Sequence, residues 1–162
     1  MPTAQKLVDA LAAELKSRGL MLATAESCTG GMIAAACTEL SGSSDWFERG
    51  FVTYSNAAKT ELLGVPAALV EQHGAVSEPV ARAMAAGALL RSYAQFSAAV
   101  TGVAGPNGGS ADKPVGTVWL AWATPAGVTA ECCHFSGDRA AVRRATVIQA
   151  LAGLLERLPP LG

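Results

Sequence analysis

The sequence predicts an α/β fold, a three-layer α/β/α sandwich built on a mixed, mostly parallel five-stranded sheet. Three observations carry this expectation. Helical and strand-like periodicities follow one another in the order α-β-α-β-α-α-β-β-β-α. The early strands are separated by helices, which favours parallel crossovers, whereas the short TPAG link between Thr124 and Val128 favours an antiparallel hairpin. Hydrophobic residues make up 51% of the 162 positions and charged residues 15%, enough for one full core and too little chain for two ordinary domains. Residues 1–162 therefore read as a single domain, with helices on both faces of the sheet.

The first helix is expected over about residues 3–18, where Leu7, Ala10, Leu11 and Leu15 share a face and lysines occupy the other side. It lacks the apolar centre of a signal peptide. The run LMLATAE then reads as a strand, and a helix follows at about 30–40. GFVTYS is the second strand, and helices are expected at about 57–63 and 79–92. FSAAVTG, GTVWLAWAT and VTAECCHF supply three further strands. A last helix runs over about 138–158 and is ended by Pro159 and Pro160.

Several function classes are disfavoured by composition. A net charge of -1 with scattered Lys and Arg provides no basic stripe, so no nucleic-acid partner is expected. Apolar runs are interrupted every few residues, so no membrane span is expected. Cys28, Cys37, Cys132 and Cys133 show no C-x-x-C spacing, and only His73 and His134 are available as imidazoles, which leaves no metal site to assemble. Reduced thiols in a cytoplasm are the expected state. Neither G-x-G-x-x-G nor G-x-x-x-x-G-K-[ST] occurs, so nucleotide cofactors and ATP hydrolysis lose their usual support.

Three polar or glycine-rich turns fall where strands end: TAESCTGG at 24–31, TGVAGPNGGS at 101–110 and SGDR at 136–139. In open α/β sheets ligands bind at strand carboxyl ends, so the three turns are expected to face one pocket. Ser27, Thr29, Gly30 and Gly31 open a helix and are candidates to hold a phosphate or carboxylate; an ordinary start capped by Ser27 or Thr29 is the alternative. Thr101 and Gly102 begin a glycine-dense loop suited to close backbone approach. Asp138 marks a helix start, and Arg139 lies where a bound anion would relieve the unfavourable position of a cation.

The segment GSSDWFERGFVTYSNAAK gathers Ser44, Tyr54 and Lys59 around one strand. With Asn56 as the cap of the next helix, Lys59 would fall at its third position. The helix dipole disfavours a charged lysine there, and burial among Trp46, Phe47, Phe51, Leu62 and Leu63 would lower its pKa further. A neutral lysine beside a serine hydroxyl can activate it for attack on a carbonyl. Spacing alone leaves Ser55 as a rival, and Cys28 at a helix start is a second candidate nucleophile.

The motifs AESCTGG, GSSDWFERGFVTYSNAAK, LGV, HGAVSEPVA, TGVAGPNGG, KPVGTVW and FSGDR follow in fixed order along nearly the whole chain. In this the sequence resembles the CinA C-terminal domain family, whose studied members include nicotinamide-nucleotide amidases. The resemblance implies hydrolysis of the carboxamide of nicotinamide mononucleotide to nicotinate mononucleotide and ammonia, with no metal or cofactor, in pyridine-nucleotide salvage. It implies Ser44 as nucleophile, Lys59 as base and Tyr54 as the assisting tyrosine, and it ties Thr101 and Arg139 to the active site. Ala57 departs from the family's frequent glutamate, which bears on local capping and not on the dyad. The resemblance leads us to expect a stand-alone amidase that is a homo-oligomer, a dimer first of all. The rival expectation is a non-catalytic nucleotide-binding or regulatory domain.

Overall fold

A computed structural model describes residues 2–159, so Pro160 and the expectation placed on it lie outside the described residues. Helix α1 spans Ala4–Arg18; the Thr3 side chain accepts a hydrogen bond from Lys6 N at its start, and Gly19 closes it. Its buried stripe is Leu7, Val8, Leu11, Ala12 and Leu15. The stripe is thus rotated from the expected one, and Ala10 is exposed. Strand β1 is Leu22–Glu26, α2 is Met32–Thr38, and a single 3₁₀ turn covers Ser43–Asp45. Strand β2, Phe47–Val52, leads into α3, Asn56–Leu63. Helices α4, Ala67–His73, and α5, Glu78–Leu90, precede β3, Phe96–Gly102. Strands β4, Thr117–Thr124, and β5, Gly127–His134, form the hairpin, and α6 covers Arg139–Arg157.

Helix α4 is not in the expected order of elements. It starts after Pro66 and has only seven residues, too few to display a helical period. Strand β2 begins and ends three residues before the expected run. Thr53 N still donates to Glu26 O at 2.8 Å, but beyond it the chain leaves the sheet because the Thr53 and Tyr54 carbonyls turn towards Lys59.

The sheet order is β2-β1-β3-β4-β5. The β1–β2 and β1–β3 pairs are parallel, and the β3–β4 and β4–β5 pairs are antiparallel. Four strands share one direction and β4 alone is reversed, so the pairings divide evenly and "mostly parallel" holds for direction only.

Side-chain alternation sorts two cores. Leu22, Phe96, Ala98, Val100, Val118, Leu120 and Trp122 face α1, α2 and α6. Ala23, Ala25, Ala99, Ala121 and Ala123 face the other way, towards Leu63, Val70, Val80 and Met84 of α3, α4 and α5. Small residues on that second face let the helices approach closely. A Cβ on Gly87 would lie 2.0 Å from Leu63 O, so α5 can pack on α3 only with glycine there. Burying this much apolar surface on both faces fixes the sheet as the middle layer. The carboxyl ends of β1, β2, β3 and β5 then open at one edge.

Candidate active site

At that edge lies a cavity of about 320 Å³. Ser27, Cys28, Tyr54, Asn56, Lys59, Thr101, Gly102, Asn107 and Arg139 line it, together with Ala75, Val76, Val103, Ala104, Gly105, Gly108 and Gly109. The three turns singled out from the sequence meet there as strand geometry requires.

Lys59 is the centre of the arrangement. Ser55 rather than Asn56 caps α3, its side chain accepting from Ala58 N at 3.0 Å, so Lys59 is the fourth residue of the helix and not the third. Its side chain runs inward and is 1% exposed. Nζ lies 2.9 Å from Ser27 Oγ, 2.9 Å from Thr53 O and 3.3 Å from Tyr54 O. Burial lowers the Lys59 pKa below the ordinary lysine value. The apolar residues expected to supply that burial do not all do so. Trp46 O accepts from Leu22 N at the far end of β1, and Leu62 is exposed. The turns that follow β1 and β2 supply the polar neighbours of the amine instead.

The geometry of Nζ has a chemical consequence. Two of its neighbours are carbonyl oxygens, which accept hydrogen bonds and cannot donate. A neutral amine satisfies both with its two N–H groups. Its lone pair is then left for the third neighbour, the Ser27 hydroxyl.

Ser44 is not brought to this cavity. It is exposed in the 3₁₀ turn before β2, where the neighbouring Asp45 carboxylate lies 4.0 Å from Lys16 Nζ. The six residues of β2 separate that turn from the site, roughly 20 Å at strand rise. The expected Ser44–Lys59 pair is therefore replaced by Ser27–Lys59.

Thr29, Gly30 and Gly31 also lie outside the residues that line the cavity. Glu26, fully buried, places its carboxylate at the start of α2 and accepts from Thr29 Oγ1 at 2.5 Å, Ile33 N at 2.8 Å and Ala34 N at 3.1 Å. The helix start that was a candidate for a phosphate is thus already occupied by an internal anion. Gly31, at φ +108, takes the capping position that neither Ser27 nor Thr29 fills. Gly30 lies against Arg143, whose guanidinium donates to Cys28 O at 3.1 Å and Thr29 O at 3.3 Å.

The remaining candidates are in place. Thr101 is buried and donates to Ala75 O at 3.0 Å, which fixes the Ala75–Val76 wall. Asp138 caps α6 by accepting from Ala141 N at 2.9 Å. Arg139, next to it, donates to Gly105 O at 2.8 Å and to Tyr54 Oη at 3.4 Å. Tyr54 thus meets Lys59 through its backbone carbonyl and Arg139 through its phenol. Cys28 lines the cavity but is 6% exposed, and burial, above all, pushes its thiol up to about 11. A thiol with that pKa is almost wholly protonated at neutral pH and is a poor nucleophile.

Sequence reasoning did not assign Asn56, Asn107, Glu26 or Arg143 to the site, although it named Asn56 as a helix cap and set Arg143 on one face with Arg139. The first two carried no pattern, being single amides in loops or at a helix start. Glu26 had a signal in its place seven and eight residues before the α2 amides it caps, but a carboxylate reaching forward from a strand follows no capping-box spacing.

The CinA C-terminal domain family model matches residues 4–158. Nicotinamide-nucleotide amidohydrolase PncC of Pseudomonas putida is 57% identical over 150 residues, covering 93% of this chain and 94% of that protein. The PncC of Escherichia coli K12 is 54% identical over 145 residues, covering 88% and 87%. The crystal structure of competence/damage inducible protein CihA from Agrobacterium tumefaciens is similar with a TM-score of 0.94 and 47% identity, covering 96% of both chains. With one family model spanning both strand ends and helices of the site, and relatives alike over almost their full length, the chain belongs to the CinA C-terminal domain family.

Proposed function

We propose that this protein is a nicotinamide-nucleotide amidase that hydrolyses the carboxamide of nicotinamide mononucleotide through Ser27 as nucleophile and Lys59 as base. The observation that carries the mechanism is the 2.9 Å approach of Lys59 Nζ to Ser27 Oγ, with carbonyls at the two other positions around the amine. The substrate is supported by the relatives at 57% and 54% identity, whose names specify a nicotinamide nucleotide and amide hydrolysis.

Neutral Lys59 takes the hydroxyl proton as Ser27 Oγ bonds to the carboxamide carbon. The resulting lysinium returns that proton to the nitrogen as the C–N bond breaks, so ammonia leaves and an ester to Ser27 remains. Water then attacks the ester with Lys59 again as base. The carboxylate product forms and Ser27 recovers its proton. Arg139 offers the cavity a cation for the phosphate of the nucleotide. A cytoplasmic homo-oligomer is the proposed setting, and light scattering on the purified protein reads its assembly directly.

Incubating the purified protein with nicotinamide mononucleotide and measuring ammonia tests the proposal. Stoichiometric release of ammonia and nicotinate mononucleotide is expected. Binding of the nucleotide without release would instead identify a binding domain.

A further inference from the structure

We propose that the Tyr54 ring is a specificity element that selects a cationic aromatic ring, stacking against the pyridinium whose carboxamide meets Ser27. This inference rests on the amidase reading above and gives the tyrosine side chain a task separate from proton transfer.

The charge lining the cavity poses a problem for a pyridinium. Among the described residues no carboxylate belongs to the lining, and the basic side chains there are Lys59 and Arg139. Arg139 attracts a phosphate but repels a positively charged ring. The nearest carbonyls and the nearest carboxylate are already committed. The Thr53 and Tyr54 carbonyls point at Lys59, and the Glu26 carboxylate is taken up by Thr29, Ile33 and Ala34. Beyond the neutral amides of Asn56 and Asn107, the group that faces the ring's charge is a π face.

Tyr54 is the one aromatic residue among the described residues that line the cavity, and it is 64% exposed. Its carbonyl lies 3.3 Å from Lys59 Nζ, so the ring is rooted one residue from the base that serves the carboxamide. Its phenol accepts from Arg139 at 3.4 Å, which holds the ring at the rim. A guanidinium has no acceptor, so the phenol cannot pass a proton on to it. The hydroxyl therefore anchors, and the ring supplies the face that attracts a cation.

The test compares a cationic and a neutral ring on wild type, Tyr54→Phe and Tyr54→Leu. Ammonia release gives kcat/KM for nicotinamide mononucleotide. Competition against that reaction gives the inhibition constant of benzamide mononucleotide, which carries the same carboxamide, ribose and phosphate on an uncharged ring. Tyr54→Leu is expected to lower kcat/KM for the cationic ring about tenfold more than it weakens the neutral analogue, whereas Tyr54→Phe keeps the wild-type ratio within about twofold. Equal losses for both rings in Tyr54→Leu, or a Tyr54→Phe ratio that falls as far as that of Tyr54→Leu, would overturn the inference while leaving the amidase reading intact. Failure of the wild type to release ammonia would overturn both.

Discussion

Lys59 Nζ and Ser27 Oγ stand 2.9 Å apart although 32 positions separate the two residues in the chain. Parallel pairing of β1 with β2 brings them together. Glu26 pairs with Val52 at the carboxyl ends of the two strands, so the residue after each strand enters the same crevice. Ser27 follows directly, and the turn Thr53–Ser55 carries the chain into α3 with Lys59 facing back. Arg143 braces the Ser27 side of this junction through Cys28 O and Thr29 O, while Arg139 braces the Tyr54 side.

Replacing each serine in turn separates the two nucleophile assignments. Ser27→Ala is expected to lower kcat for ammonia release by about a thousandfold or more, because no other hydroxyl among the described residues contacts Lys59 Nζ. Ser44→Ala changes an exposed turn and should stay within about twofold of wild type. Normal turnover in Ser27→Ala together with loss in Ser44→Ala would return the role to Ser44 and require β2 to rearrange.

Thiol alkylation checks the dismissal of Cys28. Cys132 is exposed on the edge strand β5, whereas Cys28 is buried with its pKa raised to about 11. Brief treatment of the native protein with iodoacetamide at neutral pH should label Cys132 before Cys28, as read by peptide mass spectrometry, and leave ammonia release unchanged. Rapid inactivation that tracks labelling of Cys28 would make the thiol part of the chemistry.

Much of this fold was legible because its signals are local. The FSAAVTG run becomes β3 residue for residue, and the Thr124–Gly127 link forms the expected hairpin. The cavity's position followed from glycine and polar turns at strand ends. What sequence could not supply was pairing across distance. Ser44 and Ser27 both lie in polar turns, but Ser44 precedes β2 and Lys59 follows it, so the strand holds them apart, whereas parallel pairing with β1 brings Ser27 to the end where Lys59 lies. The phosphate reading of the TGG turn failed for a similar reason, since Glu26 reaches the α2 amides from a neighbouring strand end. Thr101 and Arg139 both line the cavity because each sits at the carboxyl edge whatever the register.

Arg139 serves two purposes that substrate truncation can divide. Its guanidinium supports Gly105 and Tyr54, and no carboxylate pairs with it among the described residues. A contact with the substrate phosphate is worth about 1.5 to 3 kcal/mol, or roughly ten- to a hundredfold in affinity. Arg139→Ala is expected to weaken the phosphorylated substrate by that factor and the corresponding nucleoside by about threefold or less, measured as KM. Equal losses for the two would assign Arg139 to supporting the cavity wall alone.

The final prediction concerns the charge on Lys59. Activity needs the neutral amine, so kcat/KM should climb with pH along a limb set below the ordinary lysine range, as the lowered pKa requires. Arginine keeps its charge and accepts no proton, so Lys59→Arg should resemble Lys59→Ala, each about a hundred- to ten-thousandfold down. Stability carries an independent signature. Below the lowered pKa the folded and unfolded chains both hold the proton, and the cost of burying the charge is present in full. Between that pKa and the unfolded value near 10.4, the unfolded chain binds a proton that the folded chain has released, so stability rises with pH. Lys59→Met lacks this titration, although it also loses the contacts to Thr53, Tyr54 and Ser27. The difference in unfolding free energy between the two proteins, read from urea titrations at successive pH values, should therefore move in favour of the wild type as pH rises through that window. A difference that stays flat, with near-normal activity in Lys59→Arg, would mean that Lys59 is not the group that takes the proton from Ser27.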